Sequence, residues 1–149
     1  MSKYPFVQQH DEKDCGAACL SMISEYYGLK LPMAKYRELI KVDNQGANIF
    51  GLVTGAEKIG FDAGGLEGTV DELLDGITSG EIQFPFIARI VNEQMFEHYS
   101  VVYKMDKGFV ITGDPGKNRT TKVPLVKFIK EWQGQIVTFI PNSNIIQRC

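Results

Sequence analysis

A cysteine at the predicted start of a helix is the feature that most constrains this chain. In the segment QHDEKDCGAACL, residues 9–20, Asp14 is a favoured helix N-cap residue, and an apolar helical pattern begins after it and stops at Gly28. A thiol in the first helical turn feels the positive end of the helix dipole, which favours the thiolate that attacks carbonyl carbons. The amide of Gln9, six residues before Cys15, could donate a hydrogen bond to the oxyanion that such an attack creates. The segment therefore predicts a cysteine nucleophile with its oxyanion hole.

A base for this thiol must come from one of two histidines. His98 opens a run of β-branched and aromatic residues, and Asp114 closes a second such run at an Asp-Pro turn signal. Residues 106–108 between the runs are typical of a hairpin tip, so antiparallel pairing would bring His98 and Asp114 together at one end of a sheet. That is the arrangement that a base and its orienting carboxylate require. His10 is the weaker candidate because it lies in a polar loop without a carboxylate clearly placed to orient it.

Each of these features also has an ordinary interpretation. A buried cysteine is more often packing than a nucleophile, a histidine at a strand edge is more often structural, and an Asp-Pro pair is usually only a turn. Their joint occurrence in the order Gln, Cys, His, Asp favours the catalytic interpretation.

The other cysteines receive separate predictions. Cys19 lies one turn beyond Cys15, where a helix has no free N–H groups, so we expect it in the core rather than as the nucleophile. A metal site formed by Cys15, Cys19 and His10 lacks a fourth ligand, and we expect no metal. Cys149 is terminal and is expected to be an exposed thiol.

The chain resembles the bacteriocin-processing cysteine peptidases, the double-glycine leader peptidases that form the N-terminal domain of peptidase-containing ABC transporters. The similarity runs from about Phe6 to about Phe139, and its quoted blocks are Gln9 with DCGAACL (14–20), HYSVV (98–102), Asp114-Pro115, GANIFGL (46–52) and AEKIGF (56–61). The cysteine block is specific to the family. The histidine and aspartate blocks are short, and they indicate the family only in combination with the cysteine block.

The resemblance implies a papain-like fold with Cys15 as nucleophile, His98 as base, Asp114 as orienting residue and Gln9 in the oxyanion hole. It also implies a substrate class, namely precursor peptides that are cut after a Gly-Gly-type dipeptide at the end of an amphipathic helical leader. We expect residues 1–149 to be a single peptidase domain, the N-terminal part of a longer transporter on the cytoplasmic side of the membrane. Its partners would be the membrane and nucleotide-binding domains, and we expect no cofactor for the peptidase domain.

Some aromatic and apolar residues are candidates for substrate binding. Tyr99, next to the predicted base, is the candidate for a bulky wall that admits only glycine before the cut. An apolar groove for the leader helix could be formed by exposed residues of the second and third predicted helices: Met33, Tyr36, Phe50 and Val53. The alternative that all four are simply core residues stays open at this point.

The length and composition indicate one ordinary globular domain. The chain has 149 residues, of which 44% are hydrophobic and 23% are charged. Its net charge of −2 does not indicate a basic surface that would bind nucleic acid. No stretch approaches the roughly 18 apolar residues of a membrane span, and the N-terminus lacks the apolar core of a signal peptide. The chain has three cysteines, an odd number, and their spacing is not typical of a disulfide-bonded protein. This indicates reduced thiols and a cytosolic location.

The periodicity predicts an α+β fold in which the helix carrying the nucleophile packs on a C-terminal antiparallel sheet. We expect three helices before residue 60, then a strand, a capped helix ending near Gly76, three strands, a helix that includes Trp132, and a last strand. The predicted strands are 61–66, 84–91, 98–105, 108–112 and 135–140.

Two other functions remain open from the sequence alone. The chain could be a leader-binding module without catalysis, although intact Gln9, Cys15, His98 and Asp114 argue against it. It could also be an amidase or acyl transferase on the same scaffold, because a fold and a triad do not fix the substrate.

Overall fold

The computed structural model describes residues 4–41, 48–92 and 96–142. A short 3-10 turn, Glu12–Asp14, leads into the first helix. The helices are α1 (Cys15–Tyr26), α2 (Met33–Ile40), α3 (Ile49–Lys58), α4 (Val70–Ser79) and α5 (Leu125–Glu131). The strands are β1 (Phe61–Glu67), β2 (Phe86–Val91), β3 (Glu97–Met105), β4 (Phe109–Gly113), β5 (Thr121–Pro124) and β6 (Trp132–Pro141).

The strands form one antiparallel sheet of six, in the order β1-β6-β2-β3-β4-β5. In the central hairpin, Val101 of β3 lies opposite Gly113 of β4, and Val102 lies opposite Thr112. Because the strands are antiparallel, this register brings the start of β3 and the residue that follows β4 to the same end of the sheet.

The two faces of the sheet are covered by different helices. One core cluster joins α1, α2 and α3 to strand residues such as Val101 and Val137, and α1 is buried over ten consecutive residues, Cys15–Ser24. The other cluster contains Val102 with Leu73 of α4 and Phe128 of α5. Since neighbouring strand residues point to opposite faces, α1–α3 lie on one face and α4 and α5 on the other. The predicted α+β fold is confirmed.

The helix ends follow from local chemistry, with one exception. Asn48 caps α3 by accepting a hydrogen bond from the Gly51 N–H at 2.7 Å, and Thr69 begins α4 with a complete capping box, both as predicted. The prediction that α4 ends near Gly76 is wrong. Gly76 lies inside the helix, where a Cβ would meet the Ile82 side chain at 2.5 Å, so its glycine serves close packing. The helix continues to Ser79 and ends at Gly80, whose φ of +87° is left-handed.

Two features near the C-terminus also differ from the predictions. Trp132 is not helical but begins β6, after α5 has ended at Glu131. The four-residue strand β5 was not predicted from the sequence; it forms because it pairs with β4, with Val123 opposite Val110. Such a short strand depends on its partner more than on its own pattern. None of the helices in the described ranges is both long and apolar enough to cross a lipid bilayer.

Candidate active site

His98 and Asp114 meet at the end of the β3–β4 hairpin. The His98 Nε2 and Asp114 Oδ1 atoms are 2.5 Å apart, and both side chains are largely buried. The Gly116 N–H donates a second hydrogen bond to the same Asp114 oxygen at 2.9 Å. The carboxylate is therefore fixed from two sides, and it fixes the imidazole in turn.

The electrostatics of this pair favour an imidazolium next to a carboxylate. Burial alone would lower the pKa of His98, but hydrogen bonds with Asp114 and Cys15 and the charges of both outweigh it and raise the pKa from 6.5 to about 9. Burial would likewise raise the pKa of Asp114, yet the hydrogen bond and charge of His98, together with the Gly116 N–H, lower it. Near neutral pH the pair is thus doubly ionised.

Cys15 lies at the first position of α1 and shares this centre. Its side chain is buried beside Tyr99 in the core cluster under the sheet, and it is within hydrogen-bonding reach of His98. Because Nε2 of His98 is engaged by Asp114, Nδ1 is the ring nitrogen left for the thiol. A thiol at a helix start, facing an imidazolium, is the arrangement that sustains a thiolate nucleophile.

Asp14 occupies the predicted N-cap position of α1, but its side chain accepts no hydrogen bond from the helix. Both of its oxygens instead bind Arg37 of α2: Arg37 Nε donates to Oδ1 at 2.8 Å and Nη2 to Oδ2 at 2.7 Å. Asp11 caps the preceding 3-10 turn by accepting from the Lys13 N–H. The expectation that Asp14 caps α1 with its side chain is therefore wrong: Asp14 ends the 3-10 turn with a helical backbone, which is not the extended conformation of a capping residue, and its carboxylate binds Arg37.

Gln9 is held at the same centre by the backbone. Its N–H donates to the Pro115 carbonyl at 2.9 Å, which ties the N-terminal segment to the residue after Asp114. The side-chain oxygen of Gln9 is buried, and among the described residues it has no hydrogen-bond partner. A buried polar atom without an internal partner is uncommon and calls for an explanation. The side-chain oxygen of Gln9 is therefore left without an internal partner next to the residue that follows Asp114.

A cleft of about 890 Å³ opens beside these residues, on the α5 side of the sheet. Its walls carry charges of both signs, so it does not select a strongly charged partner. The main lining residues are Gln9, Lys13, Glu97, His98, Ser100, Thr112, Asp114, Lys117, Lys127, Phe128 and Glu131.

The four residues predicted for a leader groove do not share one environment. Phe50 of α3 is 76% exposed, whereas Met33 and Val53 are half-buried and pack against the core. Tyr36 is fully buried; its hydroxyl is hydrogen-bonded to the Ser24 hydroxyl and accepts from the Leu31 N–H at 3.1 Å. The prediction that Tyr36 contributes to an exposed groove is therefore wrong, because the polar end of its side chain is satisfied inside the protein.

The remaining candidates are placed as follows. Tyr99 is buried beside Cys15, and its role as a wall next to the cut stays a prediction. Cys19 is fully buried, as predicted, and burial, followed by the charges of Cys15 and Asp114, raises the pKa of its thiol. His10 is exposed, and Cys149 lies outside the described residues. The described part of the chain contains no cluster of three or more His, Cys, Asp or Glu side chains that could hold a metal ion.

Sequence reasoning missed two residues of this region. Gly116 fixes the Asp114 carboxylate, and the turn signal that follows Asp114 is the only local hint of it. Arg37 binds Asp14 from another helix, 23 residues further along the chain, and no local pattern connects the two.

Comparisons with known proteins point to one family. Residues 3–144 match the model of the peptidase C39 family. The lactococcin-G-processing and transport ATP-binding protein of Lactococcus lactis subsp. lactis is 38% identical over 131 residues, which are 88% of this chain and 18% of that protein. The transport/processing ATP-binding protein ComA of Streptococcus pneumoniae is 36% identical over 139 residues, 91% of this chain and 18% of that protein. This chain thus spans about a fifth of the length of these curated relatives.

Solved structures show the same fold. The peptidase domain of Streptococcus ComA, a bifunctional ABC transporter of a quorum-sensing pathway, aligns with a TM-score of 0.82 and 30% identity over 93% of this chain and 99% of that one. A double-glycine-motif protease from an AMS/PCAT transporter, solved with its leader peptide, aligns with a TM-score of 0.81 and 26% identity over 93% of this chain and 91% of that one.

Proposed function

Because the chain belongs to the peptidase C39 family, we propose that it is a cysteine endopeptidase that removes the leader of a ribosomal precursor peptide after a Gly-Gly-type dipeptide. The observation that carries this proposal is the position of His98, which is hydrogen-bonded to Asp114 and within reach of the Cys15 thiol at the start of a buried helix. The family membership supports the reaction type, and the geometry is the argument for these residues.

The proposed reaction uses Cys15 and His98 in two steps. The Cys15 thiolate attacks the carbonyl carbon of the residue before the cut, and the His98 imidazolium gives its proton to the departing amine, which leaves a thioester on Cys15. The now neutral His98 takes a proton from a water molecule, whose oxygen attacks the thioester carbon. The leader leaves as a carboxylic acid, and Cys15 and His98 return to the ion pair.

Asp114 and Gln9 support these steps without bond changes of their own. Asp114 holds the imidazole in position and stabilises its positive charge, as the raised pKa of His98 indicates. Gln9 donates its side-chain amide to the oxyanion that forms on the attacked carbonyl in each step. Its half-buried side chain lines the same cleft as His98 and Asp114, and its backbone bond to Pro115 supports this role.

For substrate recognition we propose two regions. Tyr99, buried beside Cys15, restricts the two positions before the cut to residues without bulky side chains. The exposed Phe50, together with the half-buried Met33 and Val53, accepts the apolar face of the leader helix. The solved double-glycine-motif protease with its leader peptide supports a leader as the substrate.

The relatives also suggest the setting of the domain. Their names describe proteins that both process and transport peptides with an ATP-binding part, and this chain corresponds to about a fifth of their length. We propose that it works as the processing domain of such an exporter, on the cytoplasmic side of the membrane, with the membrane and nucleotide-binding domains as its partners.

The decisive experiment is incubation with a precursor whose leader ends in Gly-Gly, read by mass spectrometry. The proposal expects cleavage after the second glycine by the wild type and no cleavage by Cys15→Ala. A matched precursor with valine in place of the second glycine should stay intact. Binding without cleavage would make the chain a leader-binding module, and neither binding nor cleavage would favour an amidase or acyl transferase on the same scaffold.

A further inference from the structure

The pair formed by Asp14 and Arg37 lies directly beside the proposed nucleophile. The Asp14 side chain is 5% exposed and immediately precedes Cys15, whereas Arg37 reaches it from α2 and remains 38% exposed. Two parallel hydrogen bonds of 2.8 and 2.7 Å join the guanidinium to both carboxylate oxygens. This fork fixes both the position and the orientation of the carboxylate.

An aspartate at this position would ordinarily bind the N–H groups of the helix that follows it. Here such binding would place an anion at the helix end that should stabilise a thiolate and an oxyanion. The Asp14 backbone is helical, its carboxylate makes no hydrogen bond to the helix, and both carboxylate oxygens bind Arg37. Arg37 thus pairs the negative charge that lies at the N-terminus of α1.

The other ionisable groups near Cys15 do not replace this effect. The hydrogen bond and charge of Arg37 lower the pKa of Asp14 against the effect of burial, and the charge of His10 contributes less. The titratable groups that interact with the thiol are Cys19, His98 and Tyr99, with Asp114 behind His98. Asp14 precedes Cys15 in the chain, and its own charged neighbours are Arg37 and His10. His98 is the cation of the catalytic pair itself, so Arg37 is the guanidinium that balances the additional buried carboxylate.

We propose that Arg37 is a positioning residue for the nucleophile: by holding both oxygens of Asp14, it neutralises a buried anion next to Cys15 and keeps the start of α1 available to the thiolate. This inference rests on the proposed catalytic role of Cys15. It assigns to α2 a function that is separate from leader binding, although the same helix also carries Met33.

The test is the rate at which iodoacetamide alkylates Cys15 as a function of pH, with the modified cysteine identified by peptide mass mapping. In Arg37→Met the carboxylate loses its partner but stays at the helix end. We expect the midpoint of the alkylation profile to move up by roughly one pH unit, which is a tenfold loss of thiolate below the midpoint. With the leader precursor, kcat should fall by about the same factor at neutral pH, and KM should change little.

Two further variants separate charge from structure. The double variant Asp14→Asn with Arg37→Met removes the anion as well, and it should return the alkylation midpoint and most of kcat toward the wild type. Lys35→Met removes one positive charge from the exposed side of α2, and it should leave both readouts unchanged. Arg37→Lys keeps the charge but loses the fork, so its shift should be smaller than that of Arg37→Met.

The inference is overturned if Arg37→Met, with an unchanged circular dichroism spectrum, keeps the wild-type alkylation profile. It is also overturned if the double variant is as impaired as Arg37→Met, since the pair would then serve stability alone. If Arg37→Met does not fold, Arg37→Lys and the double variant decide by the same criteria. Cleavage by Cys15→Ala would instead contradict the proposed function, and that outcome is independent of every Arg37 variant.

Discussion

The catalytic end of the sheet and the surface formed by α2 and α3 are built in different ways. At the catalytic end each group is held by a hydrogen bond to another part of the chain: His98 by Asp114, Asp114 by Gly116, and Gln9 by Pro115. On the α2–α3 surface, Met33 and Val53 are held only by packing, and Phe50 projects into solvent.

This difference fits two separate tasks. Bond making requires groups that are fixed before the substrate arrives, because small displacements of reacting atoms are costly. Binding of an amphipathic leader needs apolar contact that tolerates different side chains. We therefore expect substitutions at the catalytic end to act on kcat, and substitutions on the α2–α3 surface to act on KM.

The largest effect is expected for the base. His98→Ala removes the proton donor for the leaving amine and the partner of the thiolate, so kcat should fall by at least roughly 10³-fold. His10→Ala is the matched control, because His10 is exposed, and it should retain near-normal kcat. Steady-state cleavage of the leader precursor measures both. Equal losses in the two variants, at unchanged thermal stability, would show that the wrong histidine has been assigned.

The next effect is expected for the oxyanion donor. Gln9→Ala should lower kcat by about 10²–10³-fold and leave KM nearly unchanged, since its amide would act only on the transition state. Gln9→Glu should be at least as harmful, because a carboxylate repels the oxyanion. Separate determination of kcat and KM checks this. If both variants keep normal turnover, Gln9 is not part of the catalytic centre.

A smaller effect of the opposite kind is expected at Phe50. Phe50→Ser should raise KM by about tenfold without a matching loss of kcat, because it removes an exposed apolar contact with the leader. Val126 of α5 is similarly exposed, at 74% against 76%, and Val126→Ser is therefore the control. The contrast between the two regions fails if Phe50→Ser lowers kcat instead, or if Val126→Ser raises KM as much.

The smallest effect concerns stability. The pKa of His98 is raised from 6.5 to about 9 in the folded protein, so its protonation stabilises the fold fully below pH 6.5. That stabilisation is lost as the pH rises through about 9. Denaturant unfolding should therefore show a steeper fall in the free energy of unfolding between pH 6.5 and 9 for the wild type than for His98→Gln. Parallel curves would mean that His98 is not held as an imidazolium.

The sequence predicted the catalytic end better than the α2–α3 surface, for a physical reason. Cys15, His98 and Asp114 occupy positions set by local rules, namely a helix start and the two ends of one hairpin. Whether an apolar residue of a helix faces the core or solvent depends on its neighbours in space. Tyr36 lies three residues after the half-buried Met33, on the same helix. It is nevertheless fully buried, because Ser24 and Leu31 satisfy its hydroxyl.

The same limit explains the other differences. Arg37 reaches Asp14 across two helices, and β5 is a strand only because β4 lies beside it. Both depend on contacts between distant segments, which no local periodicity contains. A glycine near the end of an apolar pattern predicts a helix end, but the missing side chain of Gly76 makes room for Ile82.

In the proposed reaction, Cys15 forms a covalent thioester with the leader during cleavage. Wild-type protein mixed with the double-glycine precursor and quenched in acid within milliseconds should contain a species heavier by the leader acyl group. Peptide mapping should place that group on Cys15, hydroxylamine should remove it, and Cys15→Ala should show neither adduct nor cleavage. An adduct on Cys19, or cleavage by Cys15→Ala, would contradict the account.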